Sequence, residues 1–84
     1  MAELTSMRNI GKEMGRKLRS VGICSAEELA RLGSKEAFAR LKTRYPNVCL
    51  VHLYTLQGAV EDVEYHRLPE EVKKDLKDFS DSFQ

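Results

Sequence analysis

The sequence predicts an all-α fold, a single compact bundle of about five helices filling its 84 residues. Three features carry that expectation. Apolar residues return at steps of three and four along most of the chain, the spacing that lines one face of a helix. Residues that start or stop helices separate those stretches at short intervals. One stretch, Val48 to Val63, is apolar around most of its circumference: Cys49, Leu53, Leu56, Val60 and Val63 form a stripe that Leu50, Val51 and Tyr54 widen. Such a helix must be wrapped by others and is expected at the centre of the bundle. His52, Gln57 and charged residues interrupt it too early for it to span a membrane, which takes roughly 20 apolar residues. Gly58 and Ala59 present almost no side chain, so a second helix is expected to cross closely there.

In chain order, Leu4, Met7 and Ile10 allow one or two apolar turns. Arg8-Asn9-Ile10-Gly11 reads as a turn, because Asn and Gly tolerate positive φ best. A helix is expected from about Lys12 to Ser20, with Met14, Leu18 and Val21 inward and Lys12, Arg16, Lys17 and Arg19 left outside. Gly15 lies mid-helix at a cost of roughly 1 kcal/mol relative to Ala, which makes sense where another segment packs on the backbone. Gly22 stands where a left-handed residue closes the last turn.

Ser25-Ala26-Glu27-Glu28 is a capping box opening a short helix with Leu29 and Leu32 inward, stopped by Gly33. Ser34 is expected to cap the next helix, whose stripe is Phe38, Leu41 and Tyr45 and whose end is Pro46. Asn47 is placed to cap the central helix at Val48. Glu64 to Arg67 reads as a polar connector in which Tyr65 folds back over the core with its hydroxyl wet; a partner contact is the alternative. Leu68-Pro69, with Glu70 and Glu71 in the first turn, opens a last helix with Val72, Leu76 and Phe79 inward. Residues 80–84 are expected to fray.

One domain over residues 1–84 follows, with an ordered core from about 4 to 79, near the lower size limit for an unstapled core. Cys24 and Cys49 sit among apolar neighbours behind no apolar signal sequence, so they read as reduced core thiols of a cytoplasmic protein rather than a disulfide. Cys49 and His52 share a helix face. A structural zinc site needs four ligands, and the remaining candidates, Cys24 and His66, are distant, so no metal or other cofactor is expected. With no paired carboxylates, strand-borne serine or glycine-rich phosphate loop, enzyme activity is not expected either.

Charge is the functional signal. Residues 1–45 carry ten Lys/Arg against five Asp/Glu, a net +5, and residues 46–84 carry four against eight, a net −4. The first half is the side that suits a polyanion. Gly11 stands at a helix start, where backbone N–H groups and the helix dipole favour a phosphate. Lys12, Arg16, Lys17 and Arg19 follow within two turns, and neutralised phosphates are the basis of sequence-independent DNA binding. The plain alternative is that these side chains are the solvated face of an amphipathic helix.

Met7-Arg8-Asn9-Ile10-Gly11, followed by Met14, Gly15 and Leu18, resembles the second half of a helix-hairpin-helix, with Asn9 in place of the usual first glycine and a shortened first helix. A longer pattern is more specific. Asn9-Ile10-Gly11, Leu18, Val21-Gly22-Ile23, Glu28-Leu29, Leu32-Gly33, Leu53-Tyr54, Leu56, Gly58-Ala59, Leu68-Pro69, Lys73 and Leu76 resemble the C-terminal domain of the TfoX/Sxy family over about Leu4 to Phe79. That resemblance implies a SAM-like bundle, a bacterial source and a non-catalytic role beside transcription of competence genes. Family members carry a further domain ahead of this one, so the competence role is not expected to transfer intact. The site expected to touch nucleic acid is Arg8, Asn9, Gly11, Lys12, Arg16, Lys17 and Arg19. The expected partners are double-stranded DNA without sequence preference, a protein of the transcription apparatus, or a second copy pairing +5 half to −4 half as a homodimer.

Overall fold

The computed structural model describes residues 2–83; Met1 and Gln84, the two ends of the expected domain, lie outside the described residues. Five α-helices run in order: α1 (Lys12–Ser20), α2 (Ala26–Leu32), α3 (Ser34–Arg44), α4 (Leu50–Glu61) and α5 (Glu70–Asp81). Single 3-10 turns, Leu4–Ser6 and Tyr65–Arg67, precede α1 and α5. There is no strand among the described residues, so the fold is an all-α bundle. No described helix is long and apolar enough to cross a membrane.

The chain's punctuation explains most of the boundaries. Gly22 and Gly33 adopt φ +86° and +87° and terminate α1 and α2, a conformation that a Cβ would strain. At the start of α2 the Ser25 hydroxyl accepts from the Glu28 N–H at 3.1 Å, while the Glu28 carboxylate accepts from the Cys24 N–H at 2.8 Å. Two cap assignments need correction. Ser34 is the first residue of α3 rather than its cap, and its hydroxyl turns across to the Gln57 side chain of α4. Asn47 does not cap α4: the Val48 N–H bonds back to the Tyr45 carbonyl at 2.9 Å, which prolongs the turn after Pro46 and delays the helix to Leu50. Cys49 takes the cap position, and its own N–H donates to His52 Nδ1 at 3.0 Å.

Helix α4 is the hub. Leu53 and Leu56 are fully buried in one core cluster with Leu18, Ile23, Leu29, Phe38 and Leu41, which Leu76 of α5 joins. Each such side chain contributes about 1.5–3 kcal/mol through the water it leaves. Val51 is an exception to the expected stripe and is half exposed. Both cysteines are free and exposed rather than core residues. In each case the preceding β-branched residue, Ile23 or Val48, fills the buried slot of a short extended connector, where neighbouring side chains point to opposite sides. The expected fraying at 80–83 is also corrected, because Ser80 is buried and the Phe83 ring packs edge-on against Phe38 and Phe79, with centroids 5.8 and 5.2 Å away.

Small residues mark close approaches. A Cβ on Gly15 would stand 3.3 Å from Thr5 and 3.9 Å from Leu4, whose buried side chain docks the first 3-10 turn on α1. At Gly58 the approaching group is not a second helix. The Asn9 side chain and the backbone of Val63 to Tyr65 lie there instead, and a Cβ would come within 2.6 Å of the Val63 carbonyl oxygen. Gly58→Ala must therefore push backbone aside, with an expected loss of about 1–3 kcal/mol in urea denaturation. Gly11→Ala is the control, because nothing stands within 4 Å of the added methyl, and is expected to cost at most about 1 kcal/mol.

Candidate nucleic-acid interface

The turn that leads into α1 is built by Asn9. Its backbone is left-handed, at φ +73°, and its amide donates to the Val63 carbonyl at 2.9 Å and the Thr55 carbonyl at 3.4 Å. The Asn9 side chain is thus committed to the fold. Arg8 extends outward and pairs with Asp62 at 3.3 Å, both groups being well exposed. Asp62 itself is left-handed, at φ +57°, and closes α4. Arg8 and Asn9 consequently lie on the side of the α4 exit, and the remaining site residues lie on α1.

Gly11 is the exposed N-cap of α1 and supplies no side chain to the first turn. With 3.6 residues per turn, Lys12, Arg16 and Arg19 fall within an arc of about 60° on the outer face, while Lys17 stands about 100° round from Arg16. The structure thus brings three of the four expected cations onto one face and sets Lys17 on its flank. Glu13 shares the first turn with them. Its carboxylate takes Arg16 in a two-pronged bond, 2.6 Å to Nη2 and 3.1 Å to Nε. Hydrogen bonding to Arg16 holds the Glu13 carboxyl below the usual carboxylate range.

Sequence reading missed the contribution of α3. The Lys17 ammonium sits 5.2 Å from the centre of the Tyr45 ring, and the Arg44 guanidinium 5.7 Å from it. Ser20 donates its one proton to the Lys17 carbonyl at 2.6 Å, which leaves its oxygen to accept from the Tyr45 hydroxyl at 2.7 Å. Arg44 Nε in turn donates to the Tyr45 oxygen at 3.3 Å. Farther along, Arg40 reaches to 3.9 Å of the position a Gly22 side chain would take, while pairing with Glu36. The basic surface therefore continues from α1 onto the C-terminal half of α3. The signal available in the sequence was the cluster Arg40, Lys42 and Arg44, which a helix read for its apolar stripe leaves unremarked.

Between α1 and α4 lies an open groove of about 400 Å³, lined by Lys12, Glu13, Met14 and Lys17 of α1 and by His52 and Thr55 of α4. His52 Nδ1 accepts from the Cys49 N–H and lies 3.5 Å from the Cys49 sulfur. Nδ1 therefore carries the lone pair, and the neutral ring holds its proton on Nε2. Burial lowers the His52 pKa, and the Lys17 and Lys42 charges lower it further. Lys42 is held close by, donating to the Pro46 and Val48 carbonyls at 2.9 and 2.7 Å. Tyr65, expected to fold over the core, is 40% exposed and packs edge-on against the His66 ring.

The chain belongs to the TfoX C-terminal domain family, whose family model matches residues 1–80. It is similar to a crystal structure of an uncharacterized protein from Listeria monocytogenes in a triclinic form, with 41% identity and a TM-score of 0.95 over 98% of this chain and 93% of that one. A tetragonal form of a Listeria monocytogenes protein of unknown function is similar at 40% identity and a TM-score of 0.94, over 98% of this chain and all of the other. No curated protein matches the chain.

Two measurements test the parts of this surface that belong to the fold. Asn9→Ala removes the amide from two carbonyls and puts a Cβ residue without a local hydrogen bond at positive φ, an expected loss of about 2–3 kcal/mol in urea denaturation. Asn9→Gly relieves the backbone alone and is expected to recover about 1 kcal/mol of that. His52, with its folded pKa below the ordinary 6.5, favours the unfolded chain as pH falls, because the unfolded imidazole takes up its proton first. Its contribution to stability is present above about pH 6.5 and is lost below it, so His52→Gln is expected to lose less stability than the native protein between about pH 7.5 and 5.5.

Proposed function

We propose that this TfoX C-terminal domain is a non-catalytic module that contacts duplex DNA without sequence preference, meeting phosphates with the outer face of α1 and the C-terminal half of α3. The observation that carries this reading is the continuity of the basic surface across two helices. Lys12, Arg16, Lys17 and Arg19 of α1 adjoin Arg40 and Arg44 of α3, and the two carboxylates among them are Glu13 and Glu36. Cations that share a face release condensed counterions together when they meet a phosphate backbone, which favours nucleic acid over a single small anion. Arg44 and Arg16 also suit phosphate through the forked geometry of the guanidinium. The role beside transcription that the family resemblance implies is proposed with it, the module adding DNA affinity to a protein of that apparatus.

Anisotropy of a labelled duplex titrated at about 50 and 200 mM salt tests the reading. Neutralising about four phosphates gives a log–log slope near −3.6, a loss on the order of 100-fold in affinity over that fourfold change in salt. Changing Lys12, Arg16 and Lys17 together to Ala is expected to abolish most of the slope, with circular dichroism confirming that the helices remain. Affinity unchanged by salt, affinity that survives the triple change, or no binding at the lower salt would each overturn it.

A further inference from the structure

The α1–α4 groove contains a combination that a solvated helix face does not need. Lys12 and Lys17 approach it from α1, and His52 approaches from α4. The neutral imidazole is fixed in one tautomer by the Cys49 N–H, so its remaining polar atom, Nε2, is a donor. The one carboxylate on the rim, Glu13, is held by Arg16 through both oxygens. The groove is thus lined by two lysines and by a histidine whose remaining ring nitrogen is a donor, and the carboxylate on its rim is paired. We infer that it is a phosphate site, in which Lys12 and Lys17 supply charge and His52 donates through Nε2. The inference rests on the DNA reading above and gives it a particular seat, which shares Lys12 with the outer face of α1 and extends from there to α4.

A bound phosphate changes the electrostatics around His52. In the free protein the cations facing the ring oppose its protonation, Lys17 from α1 and Lys42 from α3, with Lys12 lining the same groove, while the one carboxylate there, Glu13, is paired with Arg16. On its own helix the neighbour is the Cys49 thiol and N–H. An anion between the lysines reverses the balance and favours the imidazolium, so phosphate binding and proton uptake are linked. DNA affinity is therefore expected to rise as pH falls from about 7.5 to 5.5, by up to about tenfold for each unit that His52 is raised.

NMR titration of the two imidazoles tests this directly, in the free protein, with inorganic phosphate and with a short duplex. His66, exposed beside Glu64 on the connector, is the internal reference. The expected result is an upward move of the His52 midpoint with the duplex and little change at His66, together with a rise in duplex affinity at low pH that His52→Gln removes while keeping the salt dependence. Salt-dependent duplex binding that leaves His52 unmoved and is flat with pH would overturn the groove as the seat while leaving the α1–α3 surface in place. Movement of His52 with inorganic phosphate, without duplex binding, would support the site and overturn nucleic acid as the source of the phosphate. No movement with either probe would overturn the site.

Discussion

The arrangement of this molecule depends on the amide of Asn9 lying against the bare backbone of α4 at Gly58. Two donors on one side chain reach carbonyls at Val63 and Thr55, one beyond the helix end and one within it. Those bonds tie the turn before α1 to the exit of the central helix, and the absence of a side chain at Gly58 makes room for them. The α1 side of the basic face follows directly from that contact along the chain. Arg8 is carried over to Asp62, Gly11 is presented at the open start of α1, and Lys12 and Lys17 are brought beside His52. A left-handed asparagine is well suited to the task, since it tolerates the backbone conformation and supplies the amide that uses it.

Helix α3 then acts as the beam that separates the two signs of charge. It is about 16 Å long. Near its start Lys35 pairs with Asp75 of α5 at 2.8 Å, in a groove that also carries Glu61 and Glu71. At its end stand Lys42 and Arg44, where the helix dipole favours cations, next to the basic face of α1. The asymmetry of +5 and −4 between the sequence halves becomes in three dimensions an acidic groove at one end of α3 and a basic surface at the other. The ion pairs that cross these surfaces are solvent-exposed and contribute little to stability, about 0–1 kcal/mol each, so the charges are not explained by holding the fold together.

Most of this architecture is legible in the sequence because it is local. The bounds of α1, the stops at Gly22 and Gly33, the capping residues before α2 and the central place of α4 follow from spacing and from single residues whose conformational preferences are strong. What stayed hidden involves pairings between distant segments. Ser34 resembles a cap, and only the position of Gln57 shows that its hydroxyl bonds across to α4. Phe83 resembles part of a loose tail until Phe38 and Phe79 are placed beside it. Gly58 announces a close approach without naming the approaching group, which proved to be a side chain 49 positions earlier rather than a helix. The basic residues of α1 were visible, but their continuation onto α3 depends on Tyr45, which packs against the core as its place in the α3 stripe implies, while its ring also lies beside Lys17 and Arg44 and its hydroxyl links Arg44 to Ser20.

The pairing of Glu13 with Arg16 bears on how the proposed phosphate contacts would work. A carboxylate in the first turn is favoured by the helix dipole, and it satisfies the guanidinium in the absence of a partner. An incoming phosphate competes with it for the same donors, so Arg16 contributes less net attraction than an unpaired cation. Lys12 and Arg19 on the outer arc, and Lys17 and Arg44 over Tyr45, face no such competitor of comparable geometry among the described hydrogen bonds and ion pairs. First contact would therefore fall to the lysines and to Arg44, with Arg16 exchanging carboxylate for phosphate afterwards. On the proposed reading a surface built this way would bind weakly and respond steeply to salt, which suits a module that adds affinity to a partner more than one that holds DNA alone.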